Sequence, residues 1–518
     1  MSSPPSNQQN EGRRRSSFYN SFQEVLNAGG KNSINNFASS YSRSANFLNA
    51  DFDYSQRPSK LTLGTSDDAQ LDEESALIDE DSPSTYTGVD DDHLDPNQPL
   101  HQHQHNYGAI MDEENISIRE EVLLKSGNST APQTIFNGIN TLIGIGILTL
   151  PLGLHYAGWI LGSIILLSCA ISSQITAKIL SECLKKNPKM KTYGDIAQYS
   201  YGRIAYLVVV STFTIDLLFA GISMIILFAD SFNVLTGIKT VYFKILISIM
   251  FFLLSFVNLS ILSSLSLVGI ICTSLIVCVV FFCGFIKAHA PGSLLEISST
   301  SLWPMDLKHL LLSLGIFMSP FGGHAIFPEL YKDMKSPQKY KKSCNVIFSF
   351  TWFVDYVMAS LGYLMFGQII TDQVTKSIML TEGYPKWIGL VICTLMGLLP
   401  ISKGPLITRP IITMTDQLTL DLSLHPKKSN HEFVIKFINR FVVTLIFLIT
   451  SLIFTDFGRI MSFLGSAICF SICIIYPLAF YLKLYHDELS NLQKTISYIG
   501  IIIALIFAVS GTIAVVFA

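Results

Sequence analysis

Two glycine interruptions, each followed by a proline, lead the residues that could do chemistry: Gly144-Ile-Gly146-Ile-Leu-Thr-Leu-Pro151 and Gly322-Gly323-His324-Ala-Ile-Phe-Pro328. Both fall inside long apolar runs. Glycine costs a helix about 1 kcal/mol relative to alanine and proline about 3, so a run that keeps both is expected to unwind there. Unwinding frees backbone N–H and C=O groups and exposes half-helix ends, which can hold the carboxylate and the ammonium of an amino acid. Irregular backbone at that depth is tolerable only beside a cavity. The expected substrate cradle is Thr141, Ile143, Gly144, Ile145 and Gly146 from the first break with Ser319, Phe321, Gly322 and Gly323 from the second. Ile143 and Phe321 would set an uncharged substrate side chain against apolar surface. The competing readings are close helix packing for the glycines and back-bonding to the helix's own carbonyls for Thr141 and Ser319.

A second set of residues is ionisable and falls at membrane depth: Asp216, Asp355, Lys403 and His324. Charge in hydrocarbon is costly enough to be functional by default. A group that takes up and releases a proton in the working range couples transport to a proton gradient, and histidine starts near about 6.5. Asp216, His324 and Lys403 are the proton-coupling candidates. The alternatives are an Asp216–Lys403 ion pair and a His324 hydrogen-bonded to unwound backbone. Glu329 and Asp230 sit at span ends, where water is near, and Lys178 is close enough to an end to snorkel.

The elements that must position these residues are eleven apolar runs, beginning with 133–156, with the eighth over 387–409, and ending with 496–518, each long enough for about 30 Å of hydrocarbon. The boundary between the fourth and fifth is the least defined, a short stretch of Ser and Leu. Runs one to five (133–288) and six to ten (307–482) each hold one break, in the first member. Because five is odd, the second set enters the membrane in the opposite sense. The expected fold class is therefore all-α and integral to the membrane, a leucine-transporter-like inverted repeat of five plus five helices with an eleventh helix after it. Lys185-Lys186, Lys339, Lys341-Lys342 and Lys427-Lys428 all fall on the loops that share a side with the N-terminus, which predicts a cytosolic N-terminus and an opposite-facing C-terminus.

Residues 1–130 differ in kind. They carry 21 acidic and 9 basic side chains, against 17 and 26 in the rest, and the chain's mean hydropathy is +0.44. From Leu61 to Leu100 there are twelve acids and no Lys or Arg, too little apolar surface to offset the entropy of ordering. The expectation is a disordered acidic tail followed by a transporter domain over 131–518. Glu73, Leu77 and Ile78 resemble an acidic dileucine sorting signal read by adaptor complexes; chance is the competing explanation. The nine cysteines form no CxxC or histidine-spaced set, so no metal site is expected.

The motifs Asn137-Gly-Ile-Asn140-Thr-Leu-Ile-Gly-Ile-Gly-Ile-Leu-Thr-Leu-Pro151, Phe213-Thr-Ile-Asp216, Trp303-Pro-Met-Asp306, Gly322-Gly-His-Ala-Ile-Phe-Pro328 and Leu380-Thr-Glu-Gly-Tyr-Pro385 occur in this order, and together they resemble the amino acid/auxin permease family. The resemblance runs from about Ser129 to the C-terminus. It implies a proton-coupled carrier of neutral amino acids (glutamine, asparagine, leucine, isoleucine, tyrosine), in a vacuolar branch that exchanges a lumenal proton for a cytosolic substrate, while relatives run the other way. The implied partners are amino acids, protons and the lipid bilayer, with no cofactor and no nucleic acid. A sensor that binds without flux is the rival reading. An enzyme is disfavoured by the lack of HExxH, GxSxG or a phosphate-cradling loop, and a channel by the lack of charged rings.

Overall fold

The computed structural model describes residues 127–517 apart from 128, 258 and 423–428. The acidic tail, with Glu73, Leu77 and Ile78, lies outside the described residues. Those described form helices and connecting turns, with one isolated bridge pairing Ser129 and Met334. The first pass combines α1 (Ala131–Leu142), a 3-10 turn (Ile145–Thr149) and the start of α2 (Leu150–Lys185). Inside α2 the backbone leaves helical geometry at Gly158 (φ 69°, ψ 171°), where the first pass ends and the second begins. A side chain is excluded there twice over, since a Cβ would also sit 2.6 Å from the Trp303 backbone.

The third to fifth passes are α4 (Arg203–Thr236), α5 (Thr240–Leu254) and α6 (Leu259–Ile286), preceded by a short α3 (Tyr193–Tyr201). The sixth is broken again, into α7 (Leu307–Met318), two 3-10 turns and α8 (Phe327–Lys332). The seventh is α9 (Tyr340–Phe366); after a short α10 (Val374–Leu380) come α11 (Lys386–Leu422) and α12 (Ser429–Ile453). The tenth pass joins α13 (Phe457–Phe463) to α14 (Tyr476–Leu484) through π-helical turns, and α15 (Asn491–Val516) is the eleventh. Among the described residues, eight stretches are long and apolar enough to cross a membrane. Gly158 divides one of them, and the shorter α5 and the broken sixth pass complete the eleven.

The described residues are all-α, and the two broken passes are the first and the sixth. On α12 and α15 only 17% and 22% of the most apolar window is buried, and Phe441, Ile449, Ile502 and Ile506 are exposed. An apolar outer surface of this kind belongs against lipid. Several helices outrun the expected spans. The eighth was expected to end at Arg409, but α11 carries Pro400, Pro405 and Pro410 and continues to Leu422. The extension is polar and satisfied: Asp416 accepts from Asn439 at 2.9 Å and pairs with Arg440 at 3.3 Å, while Arg409 donates to the Ser255 and Val257 carbonyls that follow α5.

The π-helical turns were not expected, and packing explains them. A Cβ on Gly465 would lie 1.7 Å from the Gly315 carbonyl oxygen, and one on Gly315 would lie 1.9 Å from that of Ser462. The tenth pass widens where its backbone presses directly on α7. Helix starts are capped by side chains: Thr192 with Asp195 on α3, Asp306 on α7, Asp456 on α13 and Ser490 with Gln493 on α15.

Both ends of the bundle are tied. On the side of the N-terminal segment, Ser129 N–H donates to the Asp333 carbonyl at 2.7 Å and Lys335 N–H to the Ser129 carbonyl at 2.9 Å, fastening the root of α1 to the turn after α8. On the far side Lys376 bridges Asp230 at 3.1 Å and Asp372 at 3.2 Å. Burial pulls the Lys376 ammonium down, but Asp372 and Asp230 outweigh it and hold it above the usual lysine range. Burial also pushes the Asp372 carboxyl up, against the pull of Lys376.

Candidate functional site

The first break follows from the residues that compose it. Ile143 N–H still completes α1 by donating to the Ile139 carbonyl, but Ile143 (φ −75°, ψ 87°) and Gly144 (φ −115°, ψ −153°) leave the helix. The chain then re-enters at Ile145 as a 3-10 turn, with Pro151 near the start of α2, where its missing N–H costs nothing. In the second break α7 stops at Met318, Ser319-Pro-Phe321 and Gly323-His-Ala325 form single 3-10 turns, and Pro328 restarts α8. The two breaks touch: a Cβ on Gly146 would meet Ser319 Oγ at 3.1 Å, and one on Gly323 would meet the Thr141 and Leu142 side chains at 2.8 Å.

A cavity of about 220 Å³ lies against them. At about 30 Å³ per water it has room for roughly seven water-sized groups, the scale of a medium amino acid. Of the expected cradle, Thr141, Gly144, Ile145, Gly146, Ser319 and Gly322 line it. Ile143, Phe321 and Gly323 do not. Phe321 is fully buried against Phe348, with ring centroids 6.4 Å apart, and Ile143 presents its carbonyl instead of its side chain. The hydroxyls of Thr141 and Ser319 bond back to the carbonyls of Asn137 at 2.8 Å and Ile316 at 3.0 Å.

Two of the three ionisable candidates reach this cavity, Asp216 from α4 and Lys403 from α11. No ion pair joins them among the described residues. Lys403 Nζ donates to the Ile143 carbonyl at 3.4 Å, at the point where α1 unwinds. Its stem is fixed by α6, since a Cβ on Gly269 would sit 2.9 Å from Lys403 Cγ. His324 is not brought to the cavity. It is fully buried and faces α2, its Nε2 lying 3.0 Å from Thr176 Oγ1 and 3.1 Å from the Ser173 carbonyl. It fastens the second break to the second pass.

The remaining wall is apolar: Leu217 and Met224 from α4, Leu406 and Ile407 from α11, Met461 and Leu464 from the tenth pass. Sequence reasoning missed these six, and it also missed Asn140, whose buried amide lines the cavity with no hydrogen-bond partner. The three prolines of α11 were the available signal, because a helix interior carries them only where something else satisfies the freed carbonyls. A second cavity, of about 490 Å³, opens on the far side and was also missed. It is charged, with Lys308, His309, Asp372, Lys376, Asp456 and Arg459 on its wall. Leu152 and Ile316 border it, one to two turns from the Gly146 and Ser319 that border the central cavity.

In chemical terms the central cavity offers unwound backbone, one acid, one base and an apolar wall. The first N–H groups of the 3-10 turn have no partner within it and carry the positive end of a helix, suited to a carboxylate; the carbonyl ends of α1 and α7 suit an ammonium. No side-chain cluster fit to hold a metal ion occurs among the described residues.

Residues 127–517 match the family described as transmembrane amino acid transporter protein. Among curated relatives, amino acid transporter AVT1E of Arabidopsis thaliana is 26% identical over 414 residues, covering 77% of this chain and 75% of the relative. AVT1D of the same plant is 25% identical, covering 77% and 71%, and AVT1H is 26% identical, covering 76% and 91%. The bromovinylhydantoin-bound, closed structure of Mhp1, a nucleobase-cation-symport-1 family transporter, superposes with a TM-score of 0.47 at 10% identity, covering 75% of this chain and 90% of that one. With a match that runs from the root of α1 to the end of α15, the chain belongs to the transmembrane amino acid transporter proteins, the amino acid/auxin permease family, and is a carrier and not an enzyme.

Proposed function

We propose that the chain moves neutral amino acids across a membrane by alternating access, driven by protons, with the central cavity as the substrate site. The observation that carries this reading is the composition of that cavity: two facing unwound segments, the carboxylate of Asp216 and the ammonium of Lys403 on one small, otherwise apolar wall. The substrate carboxylate sits at the start of the 3-10 turn and its ammonium at the carbonyl ends of α1 and α7. The apolar wall from Leu217 to Leu464 takes an uncharged side chain. A second charge on the substrate would be left in a mostly apolar pocket, which disfavours it.

Asp216 and Lys403 are the proton-handling groups of this site. Lys403 links its charge state to the first break through the Ile143 carbonyl, so losing or gaining that charge changes how firmly α1 is held. The thin layer between the two cavities is the far gate, and the Ser129–Asp333 fastening is the near one. The direction we assign is exchange of a proton from an acidic compartment for a cytosolic amino acid, on a vacuolar membrane, with the N-terminal segment cytosolic.

The test is uptake of labelled glutamine, leucine and arginine into liposomes holding the purified chain and an acidic interior. Accumulation of glutamine and leucine, abolished when the gradient is collapsed, with arginine excluded, is the expected result. Binding without flux in either gradient direction would favour a sensor instead.

A further inference from the structure

One buried carboxylate is left over from this account. Asp355, in the middle of α9, is completely buried, and neither of its carboxylate oxygens has a hydrogen-bond partner. Thr351, one turn earlier on the same face, is equally buried and its hydroxyl is also unpartnered. The hydroxyls of Thr149 and Thr375 are likewise unpartnered, whereas Thr212, Thr214, Thr236, Thr273 and Thr413 all return theirs to the carbonyl four residues back in their own helices. Buried polar groups are nearly always satisfied, so two orphaned ones on one helix face mark a place built for something else.

What they face follows from the contacts before and after them. Gly138 of α1 lies so close to Ile347 that a Cβ would sit 2.5 Å from its Cδ1, and Gly362 lies so close to Pro151 that a Cβ would sit 2.4 Å from its Cγ. Thr351 and Asp355 come between Ile347 and Gly362, within the same buried arc of α9. They therefore face the first pass between Gly138 and Pro151, which is its unwound stretch. The central cavity takes no residue from α9, so Asp355 approaches the break from outside it.

The charge nearest this stretch is Lys403 of α11, whose Nζ donates to the Ile143 carbonyl from the central cavity and pairs with no carboxylate among the described residues. From Ala131 to Thr149 the first pass has no ionisable side chain, and on α6 the ionisable residues are Cys272, Cys278 and Cys283. On α2, His155 lies against Tyr363 with ring centroids 6.2 Å apart, and in the second break His324 is committed to Thr176 and Ser173. Tyr356 and Tyr363 on α9 itself turn to Ser163 and Ser301. No ion pair joins Asp355 to any other described residue.

We propose that Asp355, with Thr351 and the unwound carbonyls of the first pass, forms a second cation site of the transport cycle, holding one positive charge while α1 is docked and releasing it when α1 moves. The site is all oxygen, which suits a hard monovalent cation; a proton and an alkali ion share that chemistry. An empty, ionised Asp355 would be a lone charge at membrane depth, so occupancy and the docking of α1 favour each other. The inference rests on the alternating-access reading above but not on Asp216.

The full chain in liposomes tests it, with Asp355→Asn, Asp355→Glu and Thr351→Val. For each variant, gradient-driven glutamine accumulation is compared with glutamine exchange at zero gradient, with sodium, potassium or choline outside at fixed pH. If the site holds a proton, the ratio of accumulation to exchange falls about tenfold in Asp355→Asn, whatever the salt. If it holds an alkali ion, wild-type accumulation changes when choline replaces sodium or potassium, and Asp355→Asn loses that response. Wild-type ratios and salt responses in Asp355→Asn overturn the proposal. Should the Asp355 variants fail to fold, Thr351→Val decides: a shifted salt or pH dependence supports the site, and an unchanged one overturns it. A wild-type chain that exchanges glutamine but never accumulates it under a proton gradient would sink the proton reading of the central cavity, and its salt response would still judge this site.

Discussion

At Gly322 one methyl group decides whether the second break can sit where it does. A Cβ there would lie 2.7 Å from Cys469 Sγ, whereas at Gly144 its nearest neighbour would be a backbone oxygen 4.0 Å away. Gly322→Ala is therefore expected to lower transport about tenfold by pushing the break off the tenth pass, and Cys469→Ala in the same chain to restore part of it. Gly144→Ala meets no such neighbour, so its loss is expected to be smaller and not to respond to Cys469→Ala. Initial rates of glutamine uptake for the three variants check this; equal losses at both glycines would contradict it. The glycines and prolines were legible in the sequence because their residue types alone force the unwinding. Which side chains an unwound segment turns inward was not legible, because a 3-10 turn and an extended residue have no helical periodicity to read. That is why Phe321 and His324, beside the second break in sequence, face Phe348 and α2 and not the cavity.

Among the elements, the tightest contact is backbone on backbone, where α7 meets the tenth pass at Gly315 and Gly465. Neither position has room for a methyl group, so Gly465→Ala is expected to cost about 1–3 kcal/mol or more and to loosen the far side of the bundle. Thermal unfolding in detergent measures it. Thr192→Ala removes a capping box from α3 and should cost about 1 kcal/mol in the same assay. Asp306 adds a pH dependence. Hydrogen bonds from the His309 backbone N–H and then its ring hold the Asp306 carboxyl below the usual aspartate range. A depressed carboxyl contributes stability that is fully present above its unfolded value, about 3.9, and is lost only as pH falls through the lower folded value. The difference in unfolding temperature between wild type and Asp306→Ala should thus hold constant down to about pH 5 and close only below about 4. Helix ends of this kind were only partly readable. The eighth apolar run stops at Arg409, and the carbonyls after α5 that satisfy Arg409 where the helix continues could not be known from the chain order.

For the whole molecule, the passes among the described residues and the position of both breaks were readable because apolar run length and glycine–proline spacing leave few alternatives. The far cavity was not, since its charges come from Lys308, Asp372 and Arg459, which share a space but no stretch of chain. In the proposed cycle the same arrangement supplies two gates of different kinds. The near one ties Ser129 to the turn after α8 by backbone hydrogen bonds, and the far one rests on helix packing and the Lys376 bridge to Asp230 and Asp372. A carrier needs each to open while the other holds. In the proposed cycle, coupling at the centre requires only that Asp216 and Lys403 change charge while substrate occupies the space between them.

Asp216→Asn, in liposomes with an acidic interior, tests that claim most directly. The measurement is the ratio of gradient-driven glutamine accumulation to glutamine exchange without a gradient, set against wild type. The account predicts that this ratio falls about tenfold or more, because the asparagine still fits the cavity but holds no exchangeable proton. Accumulation at the wild-type ratio would contradict it and remove Asp216 from the proton path.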